Sequence, residues 1–375
     1  MSDDLCILTQ DPRFGGGALA QLEAFWAGAV ELGRQPRVVF ARRPPLKHDL
    51  SRSPLRGRGA QVRFARVDAI GVPLAARRIR QPARDARSLW VVSTVAYHGA
   101  AAPLAQRSYG AWIATALDQE WAARRTGLSR SRRAAAAASL GVLRRIERSV
   151  IRNATRLYAT SPSTRLDLAQ VAGINADDVG LIPIPVDLDR YFPLSENGWR
   201  ATLARPTIVF VGRADDPRKN VGLLLEAFEQ VRHEVSEIRL LLIGQPPLEA
   251  LSAGVTAAGV VTDVAEVIRE ATVMVLPSLQ EGFGIVAAEA LACGVPVVTT
   301  PCGGPEELVR ASGGGVVLSG FDSEELAVTL AELIRDPDAL ARMRANGRRY
   351  VEQVHSPAVF RSLLGKAMQE LDDAA

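Results

Sequence analysis

Short apolar runs of strand length alternate with helical patterns along this chain, and the alternation occurs twice. The first series contains apolar runs at Leu5–Thr9, Arg37–Ala41 and Leu89–Val95, with a helical pattern over Ala18–Leu32. A second series begins at Thr207. Strands that alternate with helices form parallel sheets with helices on their faces. The sequence therefore predicts an α/β chain with two doubly wound, Rossmann-like parallel-sheet domains.

The length of the chain agrees with two domains. Its 375 residues exceed what one hydrophobic core usually organises, and 47% hydrophobic with 23% charged residues is ordinary for a globular protein. The segment Asp187–Ala204 contains Pro193 and Gly198 and has little periodicity, which predicts a linker. We therefore expect an N-terminal domain over residues 1–190 and a C-terminal domain over residues 205–355.

Three further features limit where the chain works and what it binds. The acidic start Met1-Ser-Asp-Asp argues against a secretory signal, and the apolar stretch Ala134–Leu143 is about half the length of a membrane span. We therefore expect a cytoplasmic protein. Its three cysteines and four histidines are too scattered for a disulfide framework or a metal cluster, so neither a metal nor a cofactor is predicted.

Two carboxylates, Glu281 and Glu289, stand eight positions apart in the segment Glu281-Gly-Phe-Gly-Ile-Val-Ala-Ala-Glu289. The apolar run Ala271–Leu276 before it predicts a buried strand, and Ile285–Ala292 predicts a helix. Glu281 then lies in the strand-to-helix loop, and Glu289 about one turn inside the helix. A helix start offers free N–H groups and partial positive charge to an anion. The pattern suits a sugar diphosphate, whose hydroxyls need acceptors; the alternative is a solvated loop glutamate and a helix glutamate paired with an arginine.

A pair of cations supports the same interpretation. Thr207–Gly212 predicts another buried strand, and Arg213 and Lys219 follow it on either side of the turn Asp215-Asp216-Pro217. Arginine offers a planar fork for phosphate oxygens and lysine a mobile point charge, so the two can hold a diphosphate and neutralise it as it leaves. The alternative is a solvated surface loop.

These residues occur in an order and spacing that resemble a known family. The motifs are, in order, Gly212-Arg213, Lys219-Asn220, Leu240 to Gly244, Pro277-Ser278, Glu281-Gly-Phe-Gly, Glu289-Ala-Leu-Ala-Cys-Gly-Val-Pro and Gly303-Gly304-Pro305-Glu306. They resemble the nucleotide-sugar half of retaining glycosyltransferases of family 4 (glycosyl transferases group 1), which have the GT-B fold. Upstream, Ile182-Pro-Ile-Pro-Val-Asp187, followed by Tyr191-Phe192-Pro193, resembles the segment that ends the first domain of that family.

The resemblance implies both a fold and a reaction. It implies two domains that face each other across a cleft, with the nucleotide sugar held mainly by the second and a last helix, within residues 358–375, returning to the first. It also implies a metal-independent, retaining transfer of a hexose or amino-hexose, in which the leaving diphosphate takes the acceptor proton. Arg213 and Lys219 would stabilise the diphosphate, Glu281 would hold sugar hydroxyls, and Glu289 would hold ribose hydroxyls. The other donor-binding candidates are Gly16, Gly17, Gly212, Gly244, Val261, Phe283, Gly284, Ile285 and Val286.

The first half of the chain carries two further catalytic candidates. His98 follows the apolar run that starts at Leu89, so we expect it at the carboxyl edge of a sheet, where it either bonds to the backbone or takes part in the reaction. In the family, a second strand commonly ends in a histidine beside the donor sugar. Asp118 takes that place here. An aspartate accepts hydrogen bonds but does not donate them as histidine does, which predicts a different sugar or acceptor.

The glycine-rich segment Phe14-Gly15-Gly16-Gly17 leaves other functions open. Gly15, Gly17 and Ala20 satisfy the dinucleotide-binding spacing, and Arg42-Arg43 would suit a 2′-phosphate, which favours an NADP-dependent oxidoreductase. The dinucleotide-binding fingerprint needs its glycines immediately after the strand, however, and here they come several residues later. A glycine-rich loop at this place also resembles the glycosyltransferase pattern. The remaining alternative is a GT-B protein that binds sugar nucleotides without transferring the sugar.

Positive charge is concentrated in the first half of the chain. Residues 1–200 hold 30 Lys and Arg against 17 Asp and Glu, whereas residues 201–375 hold 15 against 24. The densest part is Arg52–Arg87. One interpretation is attraction to anionic lipid at the inner face of a membrane or to a phosphorylated acceptor. The alternative is a solvated arginine-rich surface. No motif predicts nucleic-acid binding. The predicted partners are a UDP-, GDP- or similar sugar donor and a small-molecule, glycan or lipid-linked acceptor.

Overall fold

The computed structural model describes residues 4–12, 16–42, 59–63, 68–124, 130–235, 237–247 and 251–375. Gly15, Arg43 and the parts of Arg52–Arg87 at 52–58 and 64–67 lie outside these residues. The chain divides into two compact units. The first comprises Met1–Trp121, Leu128–Ile184 and Ala358–Ala375, and the second comprises Ala122–Gly127 and Pro185–Pro357.

The sheet of the first unit has seven parallel strands. They are β1 (Leu5–Thr9), β2 (Pro36–Arg42), β3 (Gly59–Arg63), β4 (Ser88–Ser93), β5 (Gly110–Ile113), β6 (Arg156–Ala159) and β7 (Gly180–Leu181). Their order in the sheet is β3-β2-β1-β4-β5-β6-β7. The helices along this part of the chain are α1 (Gly16–Glu31), α2 (Asp68–Asp85), α3 (Leu117–Arg124), α4 (Arg130–Arg152) and α5 (Pro162–Ala172).

The sheet of the second unit has six parallel strands. They are β8 (Thr207–Arg213), β9 (Arg239–Gln245), β10 (Val255–Gly259), β11 (Val273–Leu276), β12 (Val297–Thr299) and β13 (Gly315–Val317), in the order β10-β9-β8-β11-β12-β13. The helices are α6 (Glu196–Leu203), α7 (Val221–Glu234), α8 (Val264–Arg269), α9 (Ile285–Ala292), α10 (Gly304–Ser312), α11 (Ser323–Arg335) and α12 (Pro337–Val354). The last helix, α13 (Pro357–Asp372), lies from Ala358 onward in the first unit.

Each unit is built around its own core. In the first unit, Phe25 of α1 packs between Trp90 of β4 and Trp112 of β5, with ring centroids 5.2 and 6.0 Å apart, and Phe360 of α13 lies 5.4 Å from Trp112. In the second unit, Phe210 of β8 is fully buried in one cluster with apolar residues of α7 and α11. The strands read as continuous apolar runs because both faces of a parallel sheet are covered.

The segment predicted as a linker contains a helix. α6 begins after Ser195, whose Oγ accepts the N–H of Gly198 at 3.2 Å, and Trp199 within it is buried in the core of the second unit. The prediction of a linker over Asp187–Ala204 was therefore wrong. The helix has two turns and only two large apolar residues, Trp199 and Leu203, which is too little for a periodic signal. Packing of both residues in the core of the second unit stabilises it instead.

Both sheets reverse their strand order once. The reversal lies between β1 and β4 in the first unit and between β8 and β11 in the second. In doubly wound sheets, ligands bind at the carboxyl ends of the strands at this point. The segments after β8 and β11 are therefore where a ligand of the second unit is expected.

Candidate functional site

Asp216 holds the two arginines of the segment that follows β8. The Arg213 guanidinium donates to Asp216 Oδ2 at 2.6 Å, and Arg218 donates to the same oxygen through Nη2 at 2.7 Å. Burial alone would raise the pKa of Asp216, but the hydrogen bonds and charge of Arg218, with a further hydrogen bond from Arg213, hold that pKa well below its usual range. The Arg213 side chain keeps 61% of its surface exposed, so it remains available to a ligand.

Lys219 and Glu281 are in contact where the strand order reverses. Lys219 Nζ forms an ion pair with Glu281 Oε1, and Ser278 Oγ donates to the same oxygen at 2.8 Å. Their side chains are only 18% and 16% exposed. The structure thus brings together a predicted cation of the β8 segment and a predicted carboxylate of the β11 segment.

Backbone contacts fix the loop that carries Glu281. The Glu281 N–H donates to the carbonyl of Cys302 at 2.7 Å, so the loop after β11 is tied to the segment after β12. Gly284 has a φ of 71°, and a Cβ at this position would lie 2.3 Å from Pro305 Cγ. Position 284 therefore requires glycine, both for its left-handed backbone and for the close neighbour.

Close packing of two strands explains another predicted glycine. Gly212 and Gly244 are register partners at the carboxyl ends of β8 and β9. Gly244 has a φ of 112°, and a Cβ there would lie 2.1 Å from the Gly212 carbonyl oxygen. The sheet itself thus requires glycine at 244, whether or not a ligand approaches.

Glu289 lies on α9 in an environment different from that of Glu281. Burial raises the pKa of Glu289 to about 7, although the neighbouring Tyr191 hydroxyl and the positive charge of Arg190 both lower it. The two glutamates of the motif therefore have different neighbours and can serve different parts of one ligand.

The other predicted donor-binding positions of the second unit differ in what they expose. Phe283 is only 6% exposed, and its ring centroid lies 5.2 Å from that of His355. Its side chain is therefore part of the buried interior of the unit. Val261 is partly exposed in the segment between β10 and α8. Ile285 and Val286 are partly exposed and open α9, where the first N–H groups have no partner within the helix.

The catalytic candidates of the first unit follow β4 and β5. His98 is partly exposed in the short 3-10 turn Ala96–Gly99, with its ring 4.2 Å from that of Tyr97. Asp118 is exposed in the first turn of α3 and accepts a hydrogen bond from Arg144 Nε at 2.7 Å. A salt bridge on the surface is a sufficient structural reason for Asp118, so its reactive role stays a prediction.

Gly16 and Gly17 open helix α1. Gly16 has a φ of 61°, a conformation that glycine adopts without strain. Both residues therefore stand at a helix start after β1. The donor-binding roles of both glycines stay predictions.

The described ranges hold neither a metal-binding cluster nor a membrane-spanning helix. Within those ranges, no group of three or more His, Cys, Asp or Glu side chains is arranged to hold a metal ion. None of the helices in the same ranges is both long and apolar enough to cross a membrane.

Sequence analysis assigned no role to four residues of this site: Asp216, Arg218, Ser278 and Tyr191. Asp216 precedes a proline and caps the 3-10 turn Pro217–Lys219. This local pattern predicts the cap but not the hydrogen bonds that Asp216 accepts from two arginines. Tyr191 stands 98 positions before Glu289, so no local pattern links the two. Long-range contacts of this kind are visible only in the folded chain.

Comparison with known proteins places the site in a family domain. Residues 205–336, which include β8 to β11, the Lys219–Glu281 pair and α9, match the family model described as Glycosyl transferases group 1. The chain carries a glycosyl transferases group 1 domain. The site residues of the second unit lie within this domain, except Arg190, Tyr191 and His355. The ring of His355 packs against Phe283 of the domain.

Relatives of the glycosyl transferases group 1 domain are named glycosyltransferases. The D-inositol 3-phosphate glycosyltransferase of Rhodococcus opacus (strain B4) is 31% identical over 229 residues, which cover 55% of this chain and 51% of that protein. The MMP alpha-(1->4)-mannosyltransferase of Mycolicibacterium hassiacum is 29% identical over 223 residues, which cover 56% of this chain and 53% of that protein. The chain thus matches about half the length of these relatives.

A solved structure resembles nearly the whole chain. The crystal structure of Anabaena Alr3699/HepE in complex with UDP has a TM-score of 0.74 and 19% sequence identity, covering 98% of this chain and 99% of that chain. At this identity the likeness establishes the fold. The predicted fold class, GT-B with two doubly wound parallel-sheet domains, is confirmed.

Proposed function

We propose that this chain is a retaining glycosyltransferase that moves a hexose or amino-hexose from a nucleoside diphosphate sugar to a hydroxyl acceptor. The observation that carries the proposal is the Lys219–Glu281 pair at the point of strand reversal, inside a glycosyl transferases group 1 domain. The pair joins a phosphate-binding cation to a hydroxyl-binding carboxylate. A sugar diphosphate is the ligand that needs both within one site.

Charge in the site favours a diphosphate over a neutral ligand. Arg213, Arg218 and Lys219 provide three positive charges, and the two carboxylates that pair with them leave one in excess. The paired carboxylates hold these cations in place, so little reorganisation is needed when negative charge develops on the leaving diphosphate. The N–H groups at the start of α9 add partial positive charge to the same region.

The proposed reaction needs neither a metal nor a cofactor, in keeping with the family resemblance. The bond between the anomeric carbon and the diphosphate oxygen breaks, and a bond from the same carbon to the acceptor oxygen forms on the same face of the sugar. The acceptor proton passes to the leaving diphosphate. Arg213 and Lys219 stabilise that diphosphate as its charge grows.

The two glutamates then orient the donor. Glu281, held by Lys219 and Ser278, accepts hydrogen bonds from the sugar hydroxyls. Glu289 accepts from the ribose hydroxyls. We propose that the first unit binds the acceptor, with His98 and Asp118 as the candidate contacts.

The first unit also offers a basic surface for an anionic membrane or a phosphorylated acceptor. Helix α2 buries Ala75, Ala76 and Ile79 and exposes its arginines, among them Arg77 and Arg78. Neither of these two side chains forms an ion pair within the described part of the chain. We propose peripheral attachment of a cytoplasmic enzyme through this helix, with electrostatic attraction as the driving force.

The proposed function is tested first by donor binding and donor cleavage. A thermal-shift panel of UDP, GDP, ADP, dTDP and NADP should show stabilisation by one nucleoside diphosphate, of roughly 2.7 kcal/mol at a hundred times its dissociation constant. The corresponding nucleotide sugar should then be hydrolysed slowly, with release of the diphosphate. Binding without release would identify a silent sugar-nucleotide-binding protein. Stabilisation by NADP alone would indicate an oxidoreductase.

A further inference from the structure

Asp216 contacts all three cations of the segment that follows β8. Its carboxylate accepts hydrogen bonds from Arg213 Nη2 at 2.6 Å and from Arg218, through Nη2 at 2.7 Å and Nε at 3.2 Å. Its main-chain carbonyl accepts the Lys219 N–H at 2.9 Å. Asp216 is only 7% exposed, so a ligand has little access to it. One buried residue therefore connects the three cations.

Asp216 also fixes the backbone of this segment. Its Oδ1 accepts the Arg218 N–H at 3.1 Å and so caps the 3-10 turn Pro217–Lys219, and the Asp216 N–H donates to the Arg213 carbonyl at 3.1 Å. The Arg218 carbonyl in turn accepts the Leu279 N–H at 2.7 Å. The segment that carries the cations is therefore tied to the loop that follows β11.

The two arginines differ in what their pairing with Asp216 leaves exposed. The Arg218 guanidinium bonds to both carboxylate oxygens, and its side chain keeps 23% of its surface exposed. Arg213 bonds to one oxygen through one nitrogen, and its side chain keeps 61% exposed. A guanidinium has several N–H donors, so Arg213 has donors left for phosphate oxygens. Arg218 therefore balances the buried charge of Asp216, which leaves the charge of Arg213 for a ligand.

We propose that Asp216 is the positioning residue of the phosphate site: its carboxylate, balanced by Arg218, fixes Arg213 in the orientation in which Arg213 stabilises the leaving diphosphate. The inference rests on the proposed function and deepens it, because it separates the cation that meets the phosphate from the pair of residues that aligns it. Asp216 itself does not touch the ligand.

Affinity and turnover respond differently to loss of the Asp216 charge. Asp216→Asn keeps the size of the side chain and one acceptor oxygen, and it removes one negative charge from the site. Binding of a diphosphate depends mainly on charge, so it should be unchanged or stronger. Turnover depends on preorganised donors, so it should fall. A residue with only a structural role would lower both together.

Loss of Arg218 should change affinity in the opposite direction. Arg218→Gln leaves Arg213 as the one remaining ion-pair partner of the Asp216 carboxylate within the described part of the chain. The charge of Arg213 is then taken up by Asp216 and is no longer available to phosphate. Diphosphate affinity and turnover should therefore both fall, each by about tenfold.

Titration calorimetry and donor hydrolysis measure the two effects separately. Calorimetry uses whichever of UDP, GDP or ADP binds wild type most tightly. Hydrolysis uses the glucose, mannose and N-acetylglucosamine conjugates of that nucleotide, with release of the diphosphate as the signal. Asp216→Asn should bind the diphosphate at least as tightly as wild type and hydrolyse the donor at least about tenfold more slowly. Arg218→Gln should bind the diphosphate about tenfold more weakly.

Asp322→Asn is the matched control, because Asp322 caps α11 of the same unit, with Oδ1 accepting the N–H groups of Glu324 and Glu325 at 2.7 and 3.3 Å. It should leave affinity and hydrolysis unchanged. Wild-type hydrolysis in Asp216→Asn, equal losses of affinity and rate in that variant, or unchanged affinity in Arg218→Gln would overturn the positioning role and leave the proposed function intact. If wild type binds no nucleoside diphosphate, or releases none from these donors, the proposed function itself fails, and the inference fails with it.

Discussion

Lys219 and Glu281 form a partly buried ion pair although 62 positions separate them in the sequence. Each predicted phosphate cation has a carboxylate partner within the chain, Lys219 with Glu281 and Arg213 with Asp216. The cations are therefore oriented in advance and their charge is partly balanced. A diphosphate that enters the site would share Lys219 with Glu281, which couples phosphate binding to sugar binding.

The first prediction concerns the two cations. Arg213→Ala or Lys219→Ala should lower turnover about 10²- to 10³-fold at saturating donor, the range for loss of one preorganised charge stabiliser. Lys219→Ala should also lower the melting temperature more, because it leaves the partly buried Glu281 carboxylate without its cation. Arg205→Ala, in an exposed pair with Glu237, is the control and should have wild-type activity. Wild-type turnover in either site variant would remove that residue from the mechanism.

The second prediction concerns Glu147, a buried carboxyl of α4 whose Oε1 accepts the Leu117 N–H at 2.9 Å. Burial raises the pKa of Glu147 to about 7, although the Leu117 N–H lowers it. Between its ordinary pKa and pH 7 the folded chain binds more protons than the unfolded chain, so this group's contribution to the free energy of unfolding falls as pH rises. Glu147→Gln does not titrate. Its stability relative to wild type should increase by up to about 3 kcal/mol from pH 4.5 to 8.

Urea unfolding of wild type and Glu147→Gln at several pH values would measure this difference directly. A difference that stays constant with pH would mean that Glu147 titrates alike in the folded and unfolded chain.

The third prediction concerns the loop glycine before α9. Gly284→Ala must accommodate a φ of 71° and a Cβ that starts 2.3 Å from Pro305 Cγ, so it should destabilise the chain by about 2 to 4 kcal/mol. Gly222→Ala is the control, because a Cβ there has nothing within 4 Å and the residue is helical. It should be neutral or stabilising by up to about 1 kcal/mol. Equal melting temperatures for the two variants would contradict this account of the loop.

The fourth prediction concerns the basic face of α2. Vesicles with anionic lipid should bind the chain at low salt and release it as ionic strength rises, and neutral vesicles should not bind it. The double change Arg77→Ala/Arg78→Ala should weaken this binding about tenfold or more. Arg342→Ala/Arg349→Ala removes the same charge from exposed positions of the second unit and should have little effect. Equal losses in both variants would indicate attraction by net charge alone, and equal binding to neutral vesicles would exclude the electrostatic docking.

The sequence was sufficient where the signal is local. Helix α9 has the bounds predicted from its small helix-forming residues, and Glu281 lies in the loop before it. The doubly wound sheets follow from the apolar runs, because a parallel strand buried on both faces has to be apolar throughout. Gly284 was predicted only as a donor contact, and its packing against Pro305 required the structure.

Contacts between distant parts of the chain were not predictable. Motif spacing gives no account of the effect of Tyr191 on the pKa of Glu289 or of the two arginines that bond to Asp216. Side-chain partners of this kind depend on how separate segments pack. The helix around Trp199 was predicted to be a linker for the same reason. Its stability comes from packing of Trp199 and Leu203 against the core and not from a local pattern.

The most direct test of the donor site is titration calorimetry of the nucleoside diphosphate against Glu281→Gln and Glu289→Gln. Ribose hydroxyls are present in donor and product alike, so loss of the Glu289 charge should weaken binding of the diphosphate more than about tenfold. Glu281 serves the sugar, which the diphosphate lacks, and its neutralisation releases Lys219 for phosphate. Glu281→Gln should therefore bind the diphosphate at least as tightly as wild type. The reverse order, or no change in either variant, would contradict the assignment of the two glutamates to one donor site.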